Sequence, residues 1–137
     1  MVTVEQLNKI AIGKFPGHLG IAVTQVGKSE MRAELAVTEM LMAPNGFLHA
    51  GSIIALADTC AGYGCIVNLP PAATGFTTIE LKSNFLGTAR DGTILASAKP
   101  AHLGRTTQVW DAVVTHVESG KIIALFRCTQ IILYAKG

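Results

Sequence analysis

One segment of the chain combines groups that could stabilise a negative charge with a carboxylate that could move a proton. The turn sequence Pro44-Asn45-Gly46 leads into His49-Ala50-Gly51, where an apolar helix is predicted to begin. The first backbone N–H groups of a helix lack intrahelical partners and carry the positive end of the helix dipole. They can therefore hold an anion or an oxyanion that develops during a reaction. His49 could hydrogen-bond the bound group, although the sequence equally allows His49 and Ser52 to act only as helix caps.

Asp58 is the second residue with chemical potential. It lies within the most apolar run of the sequence, residues 52–67, and no lysine or arginine stands three or four positions away. Burying a carboxylate is costly unless the charge is paired, so such residues are often functional, as a nucleophile or a general base. A purely structural role stays open, in which Asp58 accepts a hydrogen bond from a distant backbone amide or a threonine hydroxyl.

The spacing between the two features limits how they can cooperate. Asp58 follows Ala50 by eight residues, which is about 12 Å along a helix that rises ~1.5 Å per residue. One carbonyl group cannot be held by the Ala50 N–H and attacked by Asp58 of the same helix. If both groups act on one substrate, Asp58 must come from a second copy of the chain, in a two-fold dimer with two equivalent sites. We therefore predict a homo-oligomer whose active sites are shared between subunits.

The elements that position this segment predict one α+β domain over residues 1–137. Residues 4–12 have helical periodicity, with Thr3 and Gln6 as a capping box. Residues 51–67 are apolar on nearly every face, which predicts a central buried helix. Six further segments have the alternation or turn boundaries of strands: Leu19–Val26, Glu30–Val37, Thr74–Leu86, Thr93–Leu103, Arg105–Val117 and Ile122–Tyr134. Segregated strands with a single crossover helix indicate a mostly antiparallel sheet.

The composition excludes several functional classes. The net charge of +2 and the scattered basic residues argue against a nucleic-acid partner. The most apolar run contains Asp58 and falls short of the ~20 apolar residues of a membrane span. The first residues lack the basic and apolar regions of a signal peptide, and three cysteines without a C-x-x-C pair predict reduced thiols in the cytoplasm. Four widely separated histidines argue against a zinc site.

The low charge content points to an assembly. Charged residues make up 15% of the 137-residue chain, against roughly 25% in an average soluble domain. A surface with so little charge is explained most simply if another subunit covers part of it.

The segment His49-Ala50-Gly51 followed by Leu56-Ala57-Asp58 resembles the H-G-G-x-x-x-x-L-A-[DE] signature of hotdog-fold acyl-CoA thioesterases. The nearest branch is the phenylacetate-pathway (PaaI-like) and aromatic acyl-CoA type, which includes 4-hydroxybenzoyl-CoA and dihydroxynaphthoyl-CoA thioesterases. The similarity covers nearly the whole chain, and three later segments strengthen it: Ile79–Phe85, Ala89–Gly92 and Lys99–Trp110. The resemblance implies a hotdog fold, in which an antiparallel sheet wraps around one long central helix.

The resemblance also implies an activity, the hydrolysis of an acyl-CoA thioester with an aromatic, medium or short acyl group, without a metal or other cofactor. Asp58 corresponds to the catalytic carboxylate, which activates water or attacks the carbonyl. The backbone N–H of Ala50 corresponds to the group that polarises that carbonyl, and His49 to its supporting histidine. Thr77 or Thr78 falls near a position where some relatives have a hydroxyl that positions water.

Two regions correspond to the coenzyme A end of the substrate. In the family, the junction between two strands lies beside the CoA phosphates, and its counterparts here are Gly104, Arg105 and Thr106. Arg90 is a second candidate, because a guanidinium group pairs well with phosphate.

This chain departs from the family pattern at three positions. Ala50 replaces the first glycine and would be strained if the loop required a positive φ. Ala43 stands where many relatives have a glutamine or asparagine that contacts the thioester oxygen, and Asn45 could take its place. Gly62 replaces a threonine or serine one turn after the carboxylate, which predicts more space beside Asp58.

These departures leave two alternatives open. The first is a non-hydrolytic acyl-CoA-binding protein on the same fold, suggested by the two alanines. The second is a hotdog hydroxyacyl dehydratase, whose relatives use a histidine with an acidic partner on the helix. Here His49 precedes the helix, and the loop fits the thioesterase pattern better.

Overall fold

Six antiparallel strands form one sheet, and an 18-residue helix packs against it. The computed structural model describes residues 1–136. The helices are α1 (Val4–Ile10), α2 (Phe15–Leu19) and α3 (Ala50–Val67), with a 3₁₀ turn at Glu39–Leu41. The strands are β1 (Ala22–Gln25), β2 (Met31–Ala36), β3 (Ala73–Phe85), β4 (Thr93–Leu103), β5 (Thr107–His116) and β6 (Ile122–Tyr134). Their order in the sheet is β1-β2-β4-β5-β6-β3. The predicted antiparallel sheet around a central helix is confirmed.

The centre of the domain is the contact between α3 and strands β2 to β6. Leu56, Cys60 and Ala61 of α3 are 0% exposed, and the sheet side of the contact includes Met31 and Trp110. The helix is long and apolar enough to cross a membrane, with a mean hydropathy of 1.5, but 56% of it is buried within the protein. A helix whose apolar surface is buried against a sheet in this way is typical of the core of a water-soluble domain.

Gly64 allows the indole of Trp110 to lie directly against α3. A Cβ atom at Gly64 would stand 2.5 Å from the Trp110 ring, which is 0% exposed. We expect Gly64→Ala to lower the free energy of unfolding by about 1–3 kcal/mol, because overpacking outweighs the gain in helix propensity. Urea unfolding measures this difference. Gly75→Ala is the matched control, since a Cβ there meets no atom within 4 Å, and equal losses in the two variants would contradict the explanation.

The N-terminal region differs from the sequence prediction in one element. The capping box is present, because Gln6 N donates to Thr3 Oγ1 at 3.2 Å and Thr3 N donates to Gln6 Oε1 at 2.9 Å. Residues Phe15–Leu19, however, form α2, so the first strand begins at Ala22 rather than at Leu19. The signal for α2 was available: a proline in its first turn and Gly20 at its end, with φ of 90°.

Strand β3 forms one edge of the sheet. Within residues 1–136 it pairs with β6 alone, although it is 13 residues long. Large apolar side chains are exposed along it and just beyond it, namely Ile79 (56%), Leu81 (38%), Phe85 (43%) and Leu86 (61%). A long, apolar, unpaired edge is a ready template for another strand.

Candidate active site

The N-terminus of α3 is capped by His49. Its Nδ1 accepts a hydrogen bond from the Gly51 N–H at 2.8 Å. Gly51 permits this cap, because a Cβ atom there would lie 2.9 Å from the same nitrogen. Ser52 turns away from the helix end and donates to the Leu41 carbonyl at 2.8 Å. Since Nδ1 is an acceptor, the neutral ring carries its proton on Nε2, which leaves the exposed His49 with one free donor.

The backbone N–H of Ala50 is the unpaired donor at this helix end. Ser52 N and Ile53 N both donate to the His49 carbonyl, at 2.9 and 3.4 Å. Within residues 1–136, the Ala50 N–H makes no hydrogen bond. Its methyl group causes no strain, because Ala72 is the one non-glycine residue with positive φ in the described part of the chain. The condition for strain at Ala50, a positive φ, is therefore not met, and the N–H remains available.

An apolar cleft of about 440 Å³ opens beside this N–H group. It lies between the loop before α3 and the end of β3, and its walls are Phe47, Leu48, Ala50, Ile53, Phe85, Leu86, Gly87 and Thr88. The Thr88 hydroxyl fixes the loop by accepting a hydrogen bond from Leu48 N at 2.9 Å. A free N–H donor next to apolar walls suits a polar carbonyl attached to an apolar group.

Asp58 is half-buried near the middle of α3, and Thr78 of β3 faces it. The Thr78 Oγ1 lies 3.0 Å from Asp58 Oδ1. Burial raises the pKa of the Asp58 carboxyl above its ordinary value, and the hydrogen bond from Thr78 partly opposes that rise. Within residues 1–136 no lysine or arginine forms an ion pair with Asp58. Thr77 is exposed and does not contact Asp58, so of the two predicted threonines Thr78 is the one at the carboxylate.

The expected space beside Asp58 is filled. A Cβ atom at Gly62 would lie 2.9 Å from Cζ of Phe76, because the Phe76 ring extends from β3 over this part of α3. The prediction of extra room was wrong because it considered only the helix, whereas the volume is occupied from the facing strand.

A single chain keeps the Ala50 N–H and the Asp58 carboxylate apart. Ala50 borders the cleft with Phe85 at the end of β3, whereas Asp58 faces Thr78, seven residues earlier on the same strand. The continuous helix between them spans about 12 Å at ~1.5 Å per residue. The two groups therefore lie in two separate regions of one subunit.

Asn45 and Arg90 both contact Phe47, which lines the cleft. Asn45 Oδ1 accepts a hydrogen bond from Phe47 N at 3.2 Å, so its side chain shapes the loop. The exposed Arg90 guanidinium lies 5.0 Å from the centre of the Phe47 ring, within cation–π distance.

The segment Gly104–Thr106 forms the turn between β4 and β5, at the Asp58 end of the sheet. Gly104 N donates to Thr107 O, and Ile132 N donates to Thr106 O, both at 2.9 Å. A Cβ atom at Gly104 would stand 2.8 Å from Thr107 O, which explains the glycine. Arg105 is exposed at the tip.

Comparison with known proteins decides the family. The family model described as "Thioesterase superfamily" matches residues 45–123, which is more than half of the chain and includes α3 with both Ala50 and Asp58. The chain belongs to the thioesterase superfamily. The sequence-based identification, the hotdog fold and the assignment as a thioester hydrolase are thereby confirmed.

Individual relatives of this thioesterase agree over most of their length. A 1,4-dihydroxy-2-naphthoyl-CoA hydrolase of Listeria monocytogenes is 33% identical, over 81% of this chain and 89% of that protein. A protein of the same name from Escherichia coli is 30% identical over 96% of each chain. The crystal structure of a thioesterase from Haemophilus influenzae superposes with a TM-score of 0.91 at 29% identity, over 98% of this chain and 92% of that one.

The thioesterase has one buried polar residue near Asp58 that sequence reasoning missed. Gln130 is 0% exposed on β6, and its amide lies 2.8 Å from Thr78 Oγ1. The available signal was its place in the inward-facing series of β6, with Phe126, Cys128 and Ile132 as its apolar neighbours. An amide at such a position needs a buried hydrogen-bond partner.

Metal-ligating side chains do not cluster in the part of the thioesterase that the structure describes. In residues 1–136 no group of three histidine, cysteine, aspartate or glutamate side chains could hold a metal ion.

Proposed function

We propose that this thioesterase hydrolyses an acyl-CoA thioester to the free acid and CoA, with the Ala50 N–H of one subunit and Asp58 of a second subunit acting on one carbonyl. The observation that carries the proposal is the unpaired Ala50 N–H beside an apolar cleft. The aromatic and aliphatic walls supplied by Phe47, Phe85 and Leu86 suit an aromatic acyl group. The names of the two hydrolases of dihydroxynaphthoyl-CoA support this substrate class.

The proposed reaction begins with the thioester carbonyl oxygen accepting the Ala50 N–H. As the tetrahedral intermediate forms, this donor and the dipole of α3 stabilise the oxyanion. Asp58 removes a proton from the water that attacks the carbonyl carbon, and it returns that proton to the CoA sulfur when the C–S bond breaks. In the nucleophilic variant, Asp58 attacks the carbon itself, the C–S bond breaks and CoA leaves as the thiolate, and water then hydrolyses the resulting anhydride. Both routes use groups of the protein and no metal or cofactor.

The unpaired edge of β3 supports a site shared between subunits. Pairing this strand antiparallel with its copy, about an axis midway between Thr78 and Phe85, would set Thr78 of one subunit opposite Phe85 of the other. Asp58 of the first subunit would then face the cleft of the second. The exposed Ile79 and Leu81 lie in the stretch that such pairing would cover.

The same arrangement provides two positively charged groups for the nucleotide end of CoA. Arg90 lies over the ring of Phe47, which lines the cleft, and Arg105, between Gly104 and Thr106, lies at the Asp58 end of the partner. Both side chains are exposed and can pair with phosphate. The three cysteines are free and buried, which agrees with a reducing cytoplasmic location.

A thiol-release assay over aromatic, short-chain and long-chain acyl-CoA esters tests this function. We expect release of CoA thiol, with the largest kcat/KM for an aromatic acyl group. Saturable binding of these esters without thiol release would instead indicate a non-hydrolytic acyl-CoA-binding protein.

Native mass measurement tests the shared site. We expect a dimer or a multiple of a dimer at the concentrations used for the assay. A monomer with full activity would contradict the proposal, because one subunit holds the two groups about 12 Å apart.

A further inference from the structure

The hydroxyl of Thr78 lies between two acceptors but has only one proton. Its Oγ1 is 3.0 Å from Asp58 Oδ1 and 2.8 Å from Oε1 of Gln130. A hydroxyl donates one hydrogen bond and accepts others through its lone pairs. If Thr78 donates to Asp58, then Gln130 must donate to Thr78.

The surroundings of Gln130 allow that direction. The oxygen and nitrogen of a glutamine amide are assigned from their hydrogen bonds, and the two can be exchanged by a half-turn of the amide. The other end of this amide lies 3.4 Å from Cys128 Sγ. Burial raises the pKa of the Cys128 thiol to about 12, so the thiol keeps its proton and can donate it.

One arrangement of donors and acceptors gives every group in this hydrogen-bonded chain a partner. Cys128 donates to the amide oxygen of Gln130, the amide nitrogen donates to Thr78, and Thr78 donates to the Asp58 carboxylate. The last bond has an ionised acceptor and is therefore the strongest of the three. The opposite direction would turn a lone pair of Thr78 towards the carboxylate.

We propose that Gln130 is a positioning residue for the hydrolysis reaction: its amide N–H holds the Thr78 hydroxyl in the orientation that donates to Asp58. The proposal rests on the catalytic role assigned to Asp58 above. Gln130 does not reach the substrate itself, because it is 0% exposed. It acts through Thr78, by keeping the carboxylate ionised and fixed in direction.

The other titratable groups near Asp58 stay neutral while the carboxylate titrates. In the described part of the chain these are the thiols of Cys128 on β6 and, behind it, Cys65 on α3. Burial raises the pKa of each thiol to about 12. The thiols of one subunit therefore do not contribute to the acid limb of activity.

Gln130→Met tests the proposal, because methionine has a similar volume but no donor. Without the Gln130 N–H, Thr78 can rotate its proton away and the carboxylate loses that support. We expect the acid limb of the pH profile of kcat/KM to move to higher pH by up to about one unit, with kcat up to about tenfold lower, the scale of one hydrogen bond. In a Thr78→Val background, Gln130→Met should add almost nothing, since its effect passes through Thr78.

Gln108→Met is the matched control. Gln108 is also 0% exposed and pairs with Gln130 in the sheet. Its amide, however, donates to Asn68 O and accepts from Trp110 Nε1, both at 2.9 Å. We expect a comparable loss of stability in this variant with an unchanged acid limb. If the two variants lose stability equally and neither moves the limb, Gln130 is only structural and the proposal is overturned.

Direct titration by NMR separates this proposal from the proposed catalytic role. The carboxyl carbon signal of Asp58 should titrate at higher pH in Gln130→Met than in wild type, whether or not Asp58 is catalytic. If Gln130→Met does not fold, the proposal is tested instead with the side-chain amide signals of Gln130 in the wild-type protein. They should move with the titration of Asp58, and signals that do not change across that range would overturn the proposal.

Discussion

Replacing Asp58 with asparagine is expected to lower kcat by about 10²- to 10⁴-fold, the contribution of a general acid–base group. Asparagine keeps the size of the side chain and can still accept the Thr78 hydrogen bond. It cannot take a proton from water or act as the nucleophile. Thiol release from the best acyl-CoA ester measures the loss, and turnover equal to wild type would show that Asp58 is not the catalytic carboxylate.

The stability of Asp58→Asn distinguishes lost chemistry from lost structure. Burial raises the pKa of Asp58 in the folded protein, so the folded state binds this proton more tightly than the unfolded state does. Stability is therefore greatest below the unfolded pKa and falls as pH rises through the raised folded value. Asparagine does not ionise, so the variant does not suffer this loss of stability as pH rises. At neutral pH it should therefore unfold at a temperature equal to or above that of wild type. A marked drop in the unfolding temperature would contradict this account.

Replacing Ala50 with proline is expected to lower kcat by about 10²- to 10³-fold, the cost of losing one oxyanion donor. Proline has no N–H, yet the first position of a helix tolerates it well. His49 already has the extended conformation that a following proline requires, with φ of −61° and ψ of 133°. Because the Ala50 N–H has no partner within residues 1–136, the free energy of unfolding should change little. Activity close to wild type would show that this N–H does not stabilise the oxyanion.

Mixing the two inactive variants tests whether subunits share the site. After co-refolding of Ala50→Pro with Asp58→Asn in equal amounts, half of the dimers contain one chain of each kind. In each mixed dimer, one site has both intact groups and the other has neither, so about a quarter of wild-type activity should return. If each site belonged to one chain, every site would lack a group and the mixture would remain inactive. The Ala50→Pro variant refolded alone is the baseline.

The main elements of the fold could be predicted from sequence because their signals are local. The predicted bounds of α3 and β4 lie within two residues of the observed bounds. Thr77 and Thr78 could not be separated in the same way, since a shift of one residue turns a strand side chain to the other face. The pairing of β3 with β6 also shifts between Thr78 and Glu80. Such irregularities depend on the partner strand, which a single segment does not reveal.

The residues of the candidate site show the same division between local and distant information. Ala50 and Asp58 stand on one helix with His49 as its N-cap, so their spacing alone indicated that one subunit does not bring the two groups to one carbonyl. Phe76 and Gln130 reach α3 from other parts of the chain. Their places depend on strand register and side-chain packing, and these arise only when the sheet is assembled.

The contact between Trp110 and Gly64 gives this protein an optical probe of its own. Trp110 is the single tryptophan of the chain, it is 0% exposed, and its indole nitrogen donates to Gln108. Separation of α3 from the sheet would bring this indole into water and shift its fluorescence emission to longer wavelength. Since α3 carries both Ala50 and Asp58, the emission reports whether the helix that holds these two residues is still packed against the sheet.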